Sequence, residues 1–511
     1  MTRSIRTEIV AACVCALVGL AGERSPAQGQ RAREYDYKVA YATYIGGSEG
    51  EQLREVIPYP DGSVLVGGQT NSPDLPVTPG AAQGRYGGEP AGTGHGGIYG
   101  GDCFLLRLSA DGAKVLACTY FGGSKQERNT YGMSLDSQGN VIIATGCRSR
   151  DLPTTEGAYQ RKYGGGMSDV MLVKLAGDLT KTIWCTYVGG RGEDWPRGGI
   201  AVDKDDNVVV VGRSTSPDFP GTEGVLRRQV GGANGDAMIV KVKADGTGLV
   251  WATLLGGSDW DGLMGARLDA AGNVYLAGHT RSSDFPVTAG APQAKLGGSS
   301  DCFLAKLSAD AGKVLYATYL GGRENEFAEH RLRLCADGAV LLTGVTSSPD
   351  FPTTPGAVQR SLGGKTDGFL TKLSADGRRL VFSTLLGGSD GEFYLMPTPD
   401  AKGNIFVVGT TRSRDFPVTG GALQTKFAGA TGQWDGDGAL AVLSADGSKL
   451  LYATYLGGSG ADLIRSIALG PKGEVYLVGS TSSKDFPVTP GAAGGKLNGK
   501  GDAFVVKLVP K

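Results

Sequence analysis

The chain has 511 residues, of which 40% are hydrophobic and 20% charged, and this length is sufficient for a large buried core. Its 51 basic and 51 acidic residues balance without a basic stripe, which argues against a nucleic-acid partner. Glycine stands out at 85 residues, but the glycines lack the three-residue period of collagen and recur at fixed places, as turn residues do.

The N-terminus has the pattern of a secretory signal. Two arginines precede an apolar run, Ile9–Ala21, that is too short to span a bilayer comfortably. Ser25-Pro26-Ala27 then offers small residues for cleavage. We therefore expect a signal peptide at 1–27 and a short linker at 28–35. The mature protein is expected to be exported, to the periplasm, the cell surface or the medium, and to have no membrane span.

One motif recurs seven times along the rest of the chain. Its last copy reads Tyr-Ala-Thr-Tyr-Leu-Gly-Gly at 452–458, and successive copies are 65 to 76 residues apart. The copies begin at Tyr41, Ala117, Trp184, Trp251, Tyr316, Phe382 and Tyr452. Such nearly constant spacing indicates one supersecondary unit repeated seven times.

The last repeat shows what the unit contains. An apolar stretch at Leu463–Leu469 is followed by a turn and by the β-formers of Glu474–Gly479, then by a long loop and the stretch Asp502–Leu508. In complete copies an Asp-Gly turn leads from that stretch into the next copy of the motif. The pattern predicts four antiparallel strands, A to D, with the motif as strand D, which is typical of a propeller blade.

The two ends of the chain complement each other. The last unit stops after strand C, and the N-terminal stretch Lys38–Ile45 is a strand D without a blade. Pairing the two would remove both exposed sheet edges. The sequence thus predicts an all-β, seven-bladed propeller over 36–511, closed by its N-terminal strand. The expected blades are 47–122, 123–189, 190–256, 257–321, 322–387, 388–457, and 458–511 with 36–46.

The repeat resembles a known one. Gly-Gly-Ser, Ala-Gly-Asn-Val-Tyr-Leu-Ala-Gly at 271–278 and Ser-Ser-Asp-Phe-Pro-Val-Thr at 282–288 are similar to the bacterial β-propeller repeat called SBBP. The resemblance extends over nearly the whole mature chain. It implies a secreted or surface-associated protein, and it brings no catalytic motif with it.

Three acidic positions are kept in all seven copies. The inner acids, four residues after the second glycine of the motif, are Glu51, Glu127, Asp194, Asp261, Glu326, Glu392 and Asp462. The loop acids, which precede Phe-Pro or Leu-Pro, are Asp74, Asp151, Asp218, Asp284, Asp350, Asp415 and Asp485. The strand-C acids, which open strand C, are Asp102, Asp169, Asp236, Asp301, Asp367, Asp437 and Asp502.

These acids allow two interpretations. If strand A is innermost, the inner acids could ring the channel mouth as a fixed negative potential or a cation site, with calcium as the candidate ion. Alternatively, each acid accepts backbone N–H groups in a loop that recurs seven times. We favour the structural interpretation because a function rarely needs every copy. Basic residues late in strand C could offset part of the charge: Arg107, Lys174, Lys241, Lys306, Lys372 and Lys507.

Function is more readily sought where the copies differ. Trp195 and Trp260 stand beside Asp194 and Asp261 in neighbouring repeats, so they could flank one groove. Trp434 lies in an enlarged loop of the sixth blade. Exposed tryptophans beside carboxylates suit carbohydrate stacking or a protein hot spot. The alternative is that each fills a gap between blades.

The mature chain has few groups for catalysis or metal binding. It has three histidines and no Cys-x-x-Cys pair, so a catalytic triad or zinc site has little to draw on. Of the six mature cysteines, Cys103, Cys118, Cys185 and Cys302 replace small residues of the repeat and are expected to be small packing residues, which argues against a disulfide framework without deciding the disulfide status of the six. With a three-residue turn, Cys103 would face Thr119, and Cys118 would point to the other face.

The leading hypothesis is therefore an exported, non-catalytic propeller without a cofactor. It would bind a protein or glycan of the cell envelope or matrix through its loop-rich face. The first alternative is a polysaccharide hydrolase or lyase with Asp194 and Asp261 as acid and base. The second alternative is a structural propeller that binds calcium.

Overall fold

The computed structural model describes residues 35–89, 101–430, 432 and 435–511. The expected signal peptide and Trp434 lie outside these residues, as does the expected linker apart from Tyr35. No helix within the described ranges is long and apolar enough to cross a membrane.

The described chain forms strands throughout, in the order that the repeat predicts. The strands are β1 (Tyr37–Ile45), β2 (Glu51–Pro58), β3 (Val64–Thr70), β4 (Asp102–Leu108), β5 (Val115–Phe121), β6 (Gly132–Leu135), β7 (Val141–Cys147), β8 (Asp169–Leu175), β9 (Thr182–Val188), β10 (Asp194–Val202), β11 (Val208–Ser214), β12 (Asp236–Val242), β13 (Leu249–Leu255), β14 (Asp261–Leu268), β15 (Val274–Thr280), β16 (Asp301–Leu307), β17 (Val314–Leu320), β18 (Glu326–Leu334), β19 (Val340–Thr346), β20 (Asp367–Leu373), β21 (Leu380–Leu386), β22 (Glu392–Pro399), β23 (Ile405–Thr411), β24 (Asp437–Leu443), β25 (Leu450–Leu456), β26 (Asp462–Leu469), β27 (Val475–Thr481) and β28 (Asp502–Pro510).

These strands form seven four-stranded antiparallel blades. Six blades take four consecutive strands each, from β2–β5 to β22–β25, and the seventh joins β26, β27 and β28 to β1. The first strands of neighbouring blades contact each other around the whole circle, including β26 with β2. Strand A is therefore innermost and strand D lies at the rim, which confirms the predicted seven-bladed propeller.

The ring is closed by the N-terminal strand. β1 runs antiparallel to β28, from Tyr37 opposite Pro510 to Ile45 opposite Ala503. Because β28 is otherwise the edge of its blade, this pairing covers the exposed N–H and C=O groups of that edge. The predicted closure is confirmed.

The core lies between blades and not inside any one of them. One apolar cluster, for example, joins Tyr41 and Ile45 of β1 and Val478 of β27 to Leu53 and Val66 of the first blade. Strands B and C are buried on both faces, as in β3, where all seven residues are buried. This explains why these strands read as continuous apolar runs rather than as alternating ones.

The six cysteines within the described residues are free, but the predicted hairpin register is wrong. Cys103 pairs with Phe121 and not with Thr119. The turn is longer than three residues, since the Ser109 N–H bonds to the Lys114 carbonyl, and a bulge follows Arg107. A shift of two residues leaves the facing unchanged, and Cys103 and Cys118 pack in different clusters.

Candidate functional site

Six of the inner acids begin strand A, and the seventh, Glu127, forms a single bridge with Cys147 ahead of β6; all seven are buried. Each side chain is at most 3% exposed. In every blade the carboxylate accepts the N–H of the second glycine of the preceding motif, at 2.7 to 3.4 Å. Hydroxyl groups of strand B and the following loop add bonds, for example Thr70 to Glu51 at 2.7 Å. The inner acids thus hold the loop backbone and do not present an open ring of charge to the channel.

The other two sets accept backbone N–H groups as well. The strand-C acids bond to the loop before their strand, as Asp236 does to the Gly231 N–H at 2.7 Å. The loop acids bond to the residue after the two glycines, as Asp284 does to the Ser258 N–H at 2.8 Å. All three sets therefore make the hydrogen bonds that the structural interpretation predicts.

The two glycines are the point where the three sets meet. A Cβ on Gly122 would lie 2.3 Å from Glu127 Oε2 and 2.6 Å from Asp102 Oδ1. A Cβ on Gly123 would lie 2.6 Å from Asp151 Oδ1. Real Cβ atoms do not approach so closely, so only glycine lets these carboxylates converge on the backbone. The two glycines therefore form the contact between successive blades, and this contact explains why the motif ends in Gly-Gly.

Burial changes the protonation of these acids. Burial raises the pKa of Glu51 to about 7, and burial together with the nearby Asp102 raises that of Glu127 to about 8. The pKa of Asp102 is raised to about 7, also by burial. The exposed loop acids behave in the opposite way, since the Ser48 N–H holds the pKa of Asp74 below its usual range. Some of these buried carboxyl groups are therefore protonated, and so uncharged, near pH 7.

The predicted compensation by the strand-C bases is wrong. These bases lie at the other end of the blade, and five of the six pair with the acid of the A–B turn. Lys241, for example, is 2.7 Å from Asp203. The sixth base, Lys507, donates to the Ala110 carbonyl at 3.4 Å. In the sixth blade, where Val442 replaces the base, the Tyr35 hydroxyl donates to Asp400 at 2.7 Å instead. The inner acids are offset by hydrogen bonds and protonation, and not by these cations.

Trp195 and Trp260 line one pocket between the third and fourth blades. The pocket has a volume of about 220 Å³ and opens beside the inner strands. Both indoles are half-buried. The rest of the lining is Arg197, Gly212, Arg213, Gly262, Leu263 and Met264.

Asp194 and Asp261 stand next in sequence to these tryptophans but point elsewhere. Both side chains are 0% exposed. Asp194 accepts the Ser216 hydroxyl at 2.6 Å and Asp261 accepts the Ser282 hydroxyl at 2.9 Å. Carboxylates held in this way do not reach a substrate, so these two residues do not form the acid–base pair of the enzyme alternative.

The two indoles are held by fixed neighbours. The guanidinium carbon of Arg128 lies 3.9 Å from the centre of the Trp195 ring. Trp260 stacks on His279, with ring centroids 4.3 Å apart and planes at 21°. Burial, and then the charges of Arg197 and Arg281, lower the pKa of His279 to about 3, so this imidazole is neutral. The positive charge at the pocket comes from arginines.

The arginines are the residues that sequence reasoning missed. Arg213 lies opposite Trp195 in the β10–β11 pairing, and its guanidinium is 2.7 Å from Glu193. Arg197 lies in a bulge between Pro196 and Ile200, where the register of β10 shifts. The sequence Pro-Arg-Gly-Gly inside a strand was the available signal, because proline and glycine in a strand mark bulges.

The remaining tryptophans of the described chain are packing residues. Trp184 and Trp251 are 4% and 6% exposed. Their indole N–H groups donate to the carbonyls of Ala244 and Ala309 in the next blade, at 2.9 and 3.0 Å. They fasten one blade to the next, as their place in strand D suggests.

A larger depression, of about 490 Å³, lies between the first and second blades. Its polar lining is engaged in holding loops: Gln83 accepts the Gly122 N–H at 3.0 Å, and Asp151 accepts the Ser124 N–H at 3.0 Å. No group of three or more histidine, cysteine or acidic side chains among the described residues is placed to hold a metal ion. The Trp195–Trp260 pocket is therefore the better candidate site.

Comparison with known proteins gives one family match and several distant similarities. The family model described as the β-propeller repeat SBBP matches residues 451–487. No curated protein matches the chain. Similar solved structures include a protein of unknown function from Dyadobacter fermentans DSM 18053, which is 12% identical over 75% of this chain and 96% of that chain, with a TM-score of 0.40.

Two further similar structures are enzymes. The quinohemoprotein alcohol dehydrogenase from Comamonas testosteroni is 10% identical over 93% of this chain and 76% of that chain, with a TM-score of 0.39. A polysaccharide lyase of family PL25, an ulvan lyase, is 8% identical over 87% of this chain and 93% of that chain, with a TM-score of 0.44. Similarity at this level carries no argument about activity.

Proposed function

We propose that this seven-bladed propeller of SBBP repeats is a binding protein whose site is the Trp195–Trp260 pocket. The observation that carries the proposal is that two tryptophans from neighbouring blades, each absent from the same position in every other repeat, line one pocket. Residues that depart from a repeat are not needed to build it, so their convergence at one place favours a ligand. The ligand is a macromolecule, a glycan or a protein segment.

The composition of the pocket suits binding. Indole rings combine a large apolar face with an N–H donor, and arginine supplies a rigid fork of donors, so both are frequent in binding hot spots. The inner acids accept hydrogen bonds from their own loops and do not line the pocket. The pocket walls are therefore available to the tryptophan and arginine side chains. The proposal includes export, which the first 27 residues favour, and a partner in the cell envelope or matrix.

Affinity electrophoresis through gels that contain soluble polysaccharides, together with pull-down of envelope and matrix fractions, tests the proposal. We expect Trp195→Ala and Trp260→Ala each to weaken binding by at least about 30-fold, the effect of a hot-spot residue. Trp184→Phe is the matched control, since Trp184 is buried far along the blade in strand D. Unchanged retention of the Trp195→Ala/Trp260→Ala double variant would show that the pocket is not the site.

A further inference from the structure

Aromatic side chains occupy one place on four consecutive blades. The residue after the inner acid is Trp195 in the third blade, Phe327 in the fifth and Phe393 in the sixth. In the fourth blade this residue is Gly262, and the Trp260 indole takes the place of its side chain, since a Cβ on Gly262 would lie 2.5 Å from the Trp260 ring. We call these four rings the aromatic arc. The other three blades have Leu463, Gln52 and Arg128 at this position.

The aromatic arc continues the pocket towards the fifth blade. The inner strands of the third to sixth blades contact one another in turn. His279 stacks on Trp260 with centroids 4.3 Å apart and meets Phe327 edge-on at 5.5 Å, so a single imidazole separates these two rings. Phe327 is 45% exposed. Its ring is therefore open to a ligand that extends beyond the pocket.

Resting on the proposed function, we infer that the ligand is a linear glycan chain that follows the aromatic arc. One part of the chain enters the Trp195–Trp260 pocket, whose volume of about 220 Å³ is too small for a longer segment. The following sugars lie along Phe327 and Phe393. A sugar ring has a flat C–H face that packs on the apolar face of an aromatic ring. A row of separate aromatic rings therefore suits a polymer whose flat faces recur along its length.

Ion pairs beside the aromatic arc favour hydroxyl groups in the ligand. The guanidinium of Arg213 lies 5.7 Å from the centre of the Trp260 ring and pairs with Glu193 at 2.7 Å. The guanidinium of Arg412 lies 4.8 Å from the centre of the Phe393 ring and 3.4 Å from Asp390. All four charged side chains are partly exposed. A hydroxyl group both donates and accepts hydrogen bonds, so a sugar can use the acid and the base of each pair.

Other polymers that stack on aromatic rings fit these ion pairs less well. A proline-rich peptide offers C=O acceptors but no N–H at its prolines, so Glu193 and Asp390 would receive no donor from them. Single-stranded nucleic acid needs a positively charged groove for its backbone. Arg213 and Arg412 are each paired with an acid and do not form such a groove. Of the three polymers, the glycan is the one that uses both the rings and the paired charges.

Calorimetric titration with oligosaccharides of increasing length tests the inference. The probes are the disaccharide, tetrasaccharide and hexasaccharide of cellulose, chitin and alginate, with an oligoproline peptide and a thymidine oligonucleotide for comparison. We expect at least one series to bind, and its hexasaccharide to bind about 10-fold more tightly than its disaccharide, because the added sugars reach Phe327 and Phe393.

Variants of two equally exposed side chains locate the effect. Phe327→Ala is expected to weaken hexasaccharide binding by about 2- to 10-fold and to leave disaccharide binding unchanged. Leu315→Ala is the matched control, because Leu315 is 46% exposed but lies in strand D at the rim of the fourth blade. It should leave both affinities unchanged. The length series uses the unaltered protein, so it is decisive even if a variant fails to fold.

Several results would overturn the inference. Equal affinity for the disaccharide and the hexasaccharide, or no effect of Phe327→Ala on the hexasaccharide, would remove the arc from the site; the proposed function would stand if Trp195→Ala/Trp260→Ala still abolished binding. Binding of oligoproline or of the oligonucleotide in place of every glycan series would assign the arc to that polymer. If no glycan series binds, the inference fails, and the pull-down of envelope and matrix fractions decides the proposed function separately. If the double variant binds every probe as the unaltered protein does, the proposed function fails as well.

Discussion

Deletion of Lys38–Ile45 should unfold or aggregate the protein, although it removes no residue of the candidate site. Tyr41, Tyr44 and Ile45 are at most 4% exposed and pack in the clusters on either side of the seventh blade. At about 1.5–3 kcal/mol for each large buried side chain, their loss costs about 5–9 kcal/mol. A globular protein is stable by about 5–15 kcal/mol in total, so the deletion consumes most or all of the folding free energy.

Soluble yield, circular dichroism and urea unfolding measure the effect. Besides lost packing, the deletion exposes β28 as an open edge, which favours aggregation. The double variant Lys38→Ala/Ala40→Ser is the control, because both side chains are exposed on the same strand. We expect the control to melt like the unaltered protein. A soluble deletion variant that melts cooperatively at the original temperature would refute the closure argument.

A disulfide tests the same pairing without removing anything. Ala42 faces Val506 across the closure, and its N–H and C=O bond to Thr489 instead of β28, which makes it a non-hydrogen-bonded pair. Cα atoms in such pairs are about 4.5 Å apart, within disulfide range. Ala42→Cys/Val506→Cys should therefore oxidise spontaneously and add about 2–4 kcal/mol. Thr43→Cys/Val506→Cys places the thiols on opposite faces and should stay reduced.

Three further measurements test the interpretation of the repeat. Tyr319→Phe should cost about 1–3 kcal/mol in urea unfolding, because its hydroxyl donates to the Ser282 carbonyl and accepts the Phe285 N–H inside the blade. Leu254→Met, at the equivalent position of a blade that lacks this tyrosine, should cost less; equal losses would contradict the role of the hydroxyl. Glu51 and Glu127 have folded pKa values raised above those of the unfolded chain, so their contribution to stability is full below about pH 4 and is lost as the pH rises through 7 to 8. We therefore expect the urea midpoint to be higher at pH 5.5 than at pH 8, and Glu127→Gln to reduce the difference; a midpoint that rises with pH would be against the argument. A chelator should leave Tm unchanged, because the recurring acids already accept backbone N–H groups; a drop of several degrees that calcium reverses would support the calcium alternative.

The sequence was sufficient for the fold because the information was repeated seven times. A single copy of the motif leaves strand and loop bounds open, but a period of 65–76 residues with unpaired strands at both ends allows one closure. The hydrogen bonds of the acids could be predicted for the same reason. Their burial could not, since it depends on two carboxylates from successive blades meeting at Gly122. Likewise, the sequence shows that a basic residue recurs late in strand C, but it does not show which acid that residue pairs with. The predicted compensation of the inner acids was wrong for this reason.

The pocket shows the limit of the same reasoning. Trp195 and Trp260 could be singled out because they depart from the repeat, and their neighbouring positions placed them together. Arg197 depends on a bulge in β10 that puts three residues opposite one of β11. The bulge lies close to the neighbouring blade, where a Cβ on Gly198 would lie 3.0 Å from the Gly265 nitrogen. Sequence alone can mark such a bulge, but it cannot say which side chain the bulge delivers to the pocket.

The alternation of strand A explains how one ring can carry both a rigid scaffold and a variable site. At the first position of that strand, which in the second blade is the isolated bridge of Glu127 ahead of β6, only aspartate or glutamate occurs, because the carboxylate closes the preceding loop. At the next position, whose side chain points to the other face, the seven residues are Gln52, Arg128, Trp195, Gly262, Phe327, Phe393 and Leu463. The acid holds the loop whichever of these is present, so the residue at this position can differ from blade to blade. The blades can therefore diverge at positions one residue from the contacts that fasten them, and Trp195 beside Asp194 is the clearest case.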